Sequence, residues 1–214
     1  MSSTPPTPTL QLFYSPGACS FVPHVTLLEA NLSAELILAR VGSMTPEFEE
    51  INPKRRVPVL VLDGKEIITE MAAVLTAISS LVPHKHLLGE ATLETIRVYE
   101  WLNYLSTVAH AQAFGSMWRP ERFSDDESVF PAIRAKGKRV IREVYGVVEG
   151  KVAGKEFAVG SGFTAVDAFL VVLYCWARRI GVDVKEEFPG YAVYAERLLQ
   201  RESVRRAREV HVDV

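Results

Sequence analysis

Cysteine is scarce: Cys19 and Cys175 are the only two in 214 residues, too few and too far apart to frame a disulfide-stapled fold. They are expected as free thiols, which points to a reducing, cytoplasmic compartment. Basic charge is not in excess. Lys and Arg total 24 against 26 Asp and Glu, so the chain lacks the electrostatic footprint of a nucleic-acid binder. Long apolar runs are missing too: the stretch from Ala168 to Ala177 falls well short of the roughly 20 residues a bilayer requires. The first nine residues are rich in Ser, Thr and Pro. They lack the basic and apolar regions of a signal peptide and are expected as a flexible tail. His and Cys do not cluster at metal-ligand spacing, and no Gly-rich phosphate loop or serine nucleophile elbow stands out, so no metal or nucleotide is implied.

What the chain does have is apolar content, 48% against 23% charged residues. That is enough for a sizeable core. The first part alternates short strand and helix patterns. Thr9 to Tyr14 and Glu35 to Arg40 suit strands, with a short helix between them over Pro23 to Ala30. Thr45-Pro46-Glu47 opens another helix, since Thr caps, Pro fits the first helical position and Glu complements the dipole. Val57 to Leu62, the Asp63-Gly64 turn and Glu66 to Ile68 predict a hairpin. Met71, Val74, Leu75, Ile78 and Val82 then fall at helical spacing, with Thr69 as the expected cap and Pro83 as the stop. The order is βαβαββα, a small mixed sheet with helices on both faces.

Past residues 84–90, expected as a linker, every pattern is helical. Val98, Trp101, Leu102, Leu105 and Val108 form one apolar stripe, and Ile133, Val140, Ile141, Val144 and Val148 form a second. Thr164 and Asp167 stand as a capping box before a segment apolar on all sides. Such a helix belongs in the middle of a bundle. Tyr191, Tyr194, Ala195, Leu198 and Leu199 supply a last packing helix. The expected division is therefore 10–83 and 91–214.

Four places can carry chemistry. Phe13 to Ser20 runs off the first strand, turns at Pro16-Gly17 and delivers Cys19 and Ser20 to a helix start. Free N–H groups and the dipole there favour an anionic sulfur, so a lowered thiol pKa is expected; a small buried hydrophobe is the alternative. Arg55-Arg56-Val57-Pro58 puts a proline at a strand start, where free backbone groups could pair with an extended ligand. Thr69-Glu70-Met71 opens a helix, where N–H groups could hold a carboxylate and Glu70 an ammonium. His110 lies off its apolar stripe, on one face with Ser106 and Asn103, a face that suits either solvent or a cleft.

Together these motifs resemble the cytosolic glutathione transferases, and most nearly their bacterial-type beta class, over nearly the whole chain from Leu10. The stretches that carry the likeness are Tyr14-Ser-Pro-Gly-Ala-Cys-Ser20, Asn52-Pro53 with Val57-Pro58, Thr69-Glu70, Trp101-Leu-Asn103 continuing to His110, and Phe163-Thr-Ala-Val-Asp167. The resemblance implies a thioredoxin-like N-terminal domain followed by an all-α domain, with glutathione as cosubstrate. It implies that Pro58 is cis and that Val57 pairs through its backbone with the cysteinyl unit of glutathione. Glu70 and Met71 would hold the γ-glutamyl end, and Arg55 or Arg56 would meet the glycine carboxylate. Cys19, Tyr14, Ser20 and His110 would surround the sulfur, with Cys19 able to form a mixed disulfide. Two positions depart from the pattern. Met71 stands where a small residue, often Ser, is common, which removes a hydrogen bond worth about 1 kcal/mol. Ala111 stands where the beta class typically has Lys.

The implied activity is conjugation of the glutathione thiolate to a small apolar electrophile, with thiol–disulfide exchange through Cys19 as a companion reaction. The alternatives are an isomerase or biosynthetic enzyme on the same fold, or a non-catalytic interaction module. An apolar, partly aromatic pocket is expected from Phe114, Met117, Trp118 and Tyr174. The family's arrangement implies a homodimer, and no nucleic-acid or membrane partner is expected.

Overall fold

The computed structural model describes residues 8–212 and residue 214. Four strands form one sheet: β1 (Leu10–Tyr14), β2 (Glu35–Leu38), β3 (Val59–Leu62) and β4 (Glu66–Thr69). The spatial order is β2-β1-β3-β4, with β1 parallel to β2 and the other two pairings antiparallel. Strand alternation divides the side chains between two faces. Leu10, Leu12 and Leu60 point into the main core, while Phe13, Val59 and Val61 form a smaller cluster with Phe48 on the opposite side. That second face is covered by α2 (Pro46–Ile51), whose Phe48 ring lies 5.5 Å from Phe13. Thr45 caps it, accepting the Phe48 amide through Oγ1 at 3.4 Å. The main face is covered by α1 (Phe21–Glu29) and α3 (Met71–Leu81). Asp63 and Gly64 both take positive φ, 51° and 65°, at the β3–β4 turn.

The expected βαβαββα order is therefore present, with two local corrections. Thr69 does not cap α3: it is the last residue of β4, and Glu70, at φ 72°, occupies the cap position without a side-chain bond. Residues 1–7 of the expected tail lie outside the described residues. Thr9, also assigned to that tail, is held by Asp63, whose Oδ1 accepts its amide at 2.9 Å.

The remainder is helical: α4 (Thr92–Tyr104), a π-helical segment (Leu105–Phe114), α5 (Gly115–Trp118), α6 (Phe130–Val152), α7 (Ala165–Arg179), α8 (Val184–Glu187), α9 (Pro189–Leu198) and α10 (Glu202–Val210). The α7 helix is buried without interruption from Ala165 to Leu173, as its all-round apolar pattern requires. Its start is pinned by Asp167, which accepts the amide of Thr164 at 2.6 Å, the Thr164 hydroxyl at 3.0 Å and the Ala158 amide at 2.9 Å, together with the hydroxyl of Tyr194. Four donors on one buried carboxylate make this more than a helix cap. Gly137 lets α6 approach the π-helical segment, because a Cβ there would stand 2.8 Å from the Ser116 Cβ and 2.9 Å from the Ala113 carbonyl oxygen.

The two halves are stapled along α1. Arg201 meets Glu29 in a two-pronged pair, both contacts 2.9 Å, and the Ser203 hydroxyl donates to the same carboxylate. At the other end of α1, the Trp176 indole N–H donates to the Gly17 carbonyl at 2.9 Å, and Arg179 donates to the same oxygen at 3.1 Å. The loop carrying Cys19 is thus fixed by the helical half of the molecule.

Candidate functional site

The β1–α1 loop is closed by its own side chains. The Ser15 amide donates to Ser20 Oγ at 3.1 Å, and that hydroxyl donates back to the Ser15 carbonyl at 3.3 Å. Ser20 is fully buried, so its hydroxyl is used in shaping the loop. Opposite this loop stands the segment 52–58. Asn52, also buried, donates from Nδ2 to the Arg56 carbonyl at 2.7 Å and accepts the Lys54 amide at 3.3 Å. This clamp turns Arg55 and Arg56 outward just before the Val57-Pro58 peptide bond, which is cis. The Cys19 thiol donates to the Val57 carbonyl at 3.5 Å.

These two loops and the helical half enclose a cleft of about 390 Å³, within the range of small-molecule sites. Its strand-domain wall includes Cys19, Arg55, Arg56 and Val57, and its helical wall includes His110, Phe114, Trp118 and Trp176. The aromatic rings are mutually packed: Phe114 and Trp118 lie 5.0 Å apart, Trp118 meets Trp176 edge-on at 5.0 Å, and His110 lies 5.5 Å from Trp176. Arg119, Arg122 and Arg179 complete the rim, so five guanidinium groups line the cleft and, among the described residues, no carboxylate does.

Electrostatics at the sulfur differ from the sequence expectation. Burial pushes the Cys19 thiol up to about 12, against the opposing pull of its own amide, the Ser20 amide and the Arg56 charge. The expected lowering influences exist, yet desolvation outweighs them. Cys19 is therefore a thiol at neutral pH. His110 is lowered to about 4, first by burial and then by Arg122 and Arg56, so its ring is neutral at pH 7.

Several residues expected at the site stand elsewhere. Tyr14 is not in the cleft lining; its ring lies 5.3 Å from His211. Met117 packs against the core and not into the cleft. Tyr174 lines a larger cavity of about 640 Å³ on the other side of α7, beside Cys175, and its hydroxyl donates to Glu196 at 3.1 Å. That larger cavity holds neither Cys19 nor His110. Glu70 is exposed and paired with Lys54, whose ammonium lies 2.5 Å from its carboxylate and 2.6 Å from Thr69 Oγ1. Met71 is buried in the core. Asn103, expected on one face with His110, is exposed and donates to the Tyr99 carbonyl at 2.8 Å; the wider π-helical turn carries His110 off that face.

The arrangement of a strand-domain loop, a cis proline and a helical aromatic wall has counterparts. The family descriptions "Glutathione S-transferase, N-terminal domain" and "Glutathione S-transferase, C-terminal domain" match residues 17–81 and 121–202. The chain belongs to the glutathione S-transferase family. Among curated glutathione S-transferases, GstA of Escherichia coli O157:H7 is 29% identical over 204 residues, covering 92% of this chain and 96% of the relative. Among solved structures, the bacterial beta class glutathione S-transferase of Sphingomonas chungbukensis is 28% identical with a TM-score of 0.84, covering 95% of this chain and 100% of the other. A sphingomonad glutathione S-transferase complexed with glutathione has a TM-score of 0.82 at 28% identity, covering 94% of this chain and 98% of the other.

Trp176 was read only as part of the apolar run that forms α7, and the charged residues that sequence reasoning missed in this glutathione S-transferase chain are Arg119, Arg122 and Arg179. Each reads as an ordinary surface arginine, and only the folded chain gathers them from α5 onward and from the last turn of α7.

Proposed function

We propose that this chain is a glutathione-dependent transferase that works in the cleft between its two halves. Glutathione lies along the segment before the cis proline, with its glycine carboxylate toward Arg56 and its sulfur beside Cys19. The γ-glutamyl end reaches toward Glu70 and the start of α3. The observation that carries this reading is the convergence of Cys19, Arg56, Val57 and His110 on one cleft, with the cis Val57-Pro58 bond next to it, in a chain of this family.

The chemistry follows from the charges present. Arg56 and the amides of Cys19 and Ser20 act on sulfur at this place, since they oppose the burial of the Cys19 thiol itself. On this reading the glutathione sulfur lies in the solvent-open cleft and not in the buried Cys19 position. It meets the same amides and the Arg56 charge without the burial cost that Cys19 carries, and it gives up its proton to water. The thiolate then attacks an electrophilic carbon held against the aromatic wall: a carbon–sulfur bond forms, and the leaving group departs with its electron pair. Cys19 serves as a hydrogen-bond donor toward the thiolate, and neutral His110 as a polar wall. Thiol–disulfide exchange through Cys19 is the weaker reading, because its thiolate is scarce at neutral pH. Tyr14 and Ser20 are not assigned to the sulfur.

Two observables test this. The protein is retained on immobilised glutathione, and it forms a thioether from glutathione and 1-chloro-2,4-dinitrobenzene with release of chloride. Retention without turnover of any electrophile would leave a binding module, and failure of both would remove the transferase reading. A homodimer belongs to the same proposal. Leu93 and Ile96, one turn apart on α4, and Ile67 on edge strand β4 are exposed apolar residues available for it. Light scattering at micromolar concentration is expected to give twice the chain mass, and a monomer would contradict it.

A further inference from the structure

The cleft carries far more positive charge than glutathione alone requires. Arg55 has a partner in Glu49, 3.1 Å from its Nε. Among the described residues the other four have weak or no ionic compensation. Arg119 reaches no carboxylate among the described residues closer than Glu121 at 4.0 Å, and it spends one N–H on the Trp118 carbonyl at 2.9 Å. Arg179 lies 4.9 Å above the Trp118 ring and donates to a backbone oxygen. Arg56 and Arg122 form no ion pair among the described residues. The crowding is felt by the groups themselves, since burial and then the charges of Arg56 and Arg119 lower the pKa of Arg122 against a smaller opposing pull from Glu121.

Like charges gathered around an under-compensated, partly desolvated cleft repel each other and are relieved by an anion. Guanidinium groups suit carboxylates in particular, which they can hold through paired N–H donors. Glutathione, on the reading above, takes Arg56 on the strand-domain side. Arg119, Arg122 and Arg179 belong to the helical side, beside Trp118 and Phe114, where the second substrate lies.

We infer that the electrophile accepted by this cleft is an aromatic or unsaturated molecule bearing a carboxylate, its flat part against Trp118 and Phe114 and its carboxylate between Arg119 and Arg122. This revises the expected cosubstrate from apolar to amphipathic and anionic. It rests on the transferase reading, but the anion site can be tested without glutathione.

The test uses a matched pair of probes, 4-chloro-3-nitrobenzoate and 4-chloro-3-nitrobenzamide, which differ in charge and share a ring. Each is titrated into the protein in the absence of glutathione, and binding is read from quenching of tryptophan fluorescence. The wild-type protein is expected to bind the benzoate about tenfold more tightly than the amide, with the preference shrinking as salt rises. Arg122→Gln is expected to lower that preference severalfold, Arg119→Gln/Arg122→Gln to abolish it, and Arg122→Lys to retain part of it. Arg122 is exposed and Arg119 half-buried, and an unchanged melting temperature checks that each variant folds. Equal binding of the two probes by the wild type would overturn the inference. So would a preference that survives the double substitution, or a double variant whose only defect is weaker glutathione binding. If the charge preference holds while glutathione fails to bind, the anion site stands and the transferase reading falls.

Discussion

At Cys19, burial decides the chemistry. A cysteine at the start of a helix is a candidate nucleophile by position, because unpaired amides and a positive dipole end stabilise its anion. Those influences are present here, and the Arg56 charge adds to them, yet the thiol is pushed up to about 12 because it is 6% exposed. Position along the chain was legible; the degree of enclosure was not, since it depends on the Val57 carbonyl and the helical half closing over the loop. At pH 8, alkylation of Cys19 by iodoacetamide should therefore run on the order of 10³-fold slower than that of an ordinary cysteine. Its rate should keep climbing tenfold per pH unit through pH 10. Mass spectrometry of the labelled Cys19 peptide checks this, and rapid labelling at neutral pH would show a thiolate that the enclosure does not permit.

At the scale of elements, the sheet and most helices were legible because each carries its own periodicity and its own stop signals. Thr45-Pro46 announced α2, Asp63-Gly64 announced the hairpin, and the all-apolar run from Ala165 announced the central helix. The π-helical segment from Leu105 to Phe114 was not legible. An α-helical stripe through Val108 was expected, whereas the buried positions are Leu105, Ala109, Ala113 and Phe114, a spacing nearer four than 3.6. Gly137 then fits α6 against that segment at backbone distance. The Thr164–Asp167 box was visible as a cap, but its reach to Ala158 and Tyr194 was hidden by sequence distance. Removing Asp167 would strip four buried donors of their acceptor, so Asp167→Ala should cost on the order of 3 kcal/mol, more than a simple cap. That corresponds to a melting temperature lowered by roughly 6–12 °C. Calorimetry of the variant checks it, and a shift below about 2 °C would mean that the network is not a stabilising one.

Across the whole molecule, the features that depend on three or more distant segments are the ones no local pattern revealed. The arginine rim draws on residues 55–56, 119–122 and 179. A second such assembly is the buried pair His24 and His211, whose rings lie 5.5 Å apart, with His211 also packed against Phe21 and Tyr14. Burial holds His24 down to about 4, with Arg206 adding to the effect, and holds His211 down to about 3, with His24 adding to it. His110, at about 4, behaves likewise. The unfolded chain takes up protons at these histidines near pH 6.5, while the folded chain resists until well below that. Stability is therefore lost as pH falls from about 6.5 toward 4, each histidine adding up to about 1.4 kcal/mol per pH unit to the slope. Urea unfolding at a series of pH values checks the slope, and a flat profile between pH 6 and 4.5 would contradict the buried neutral histidines.

On the proposed reading, glutathione occupies the cleft between the two halves with Arg56 at its carboxylate and Cys19 at its sulfur. Calorimetric titration of glutathione into the wild-type protein and into the Arg56→Gln and Tyr14→Phe variants tests it most directly. One glutathione per chain should bind the wild type and Tyr14→Phe alike, and Arg56→Gln should weaken binding at least fivefold. Absence of binding to the wild type, or loss of binding on changing Tyr14 with none on changing Arg56, would contradict it.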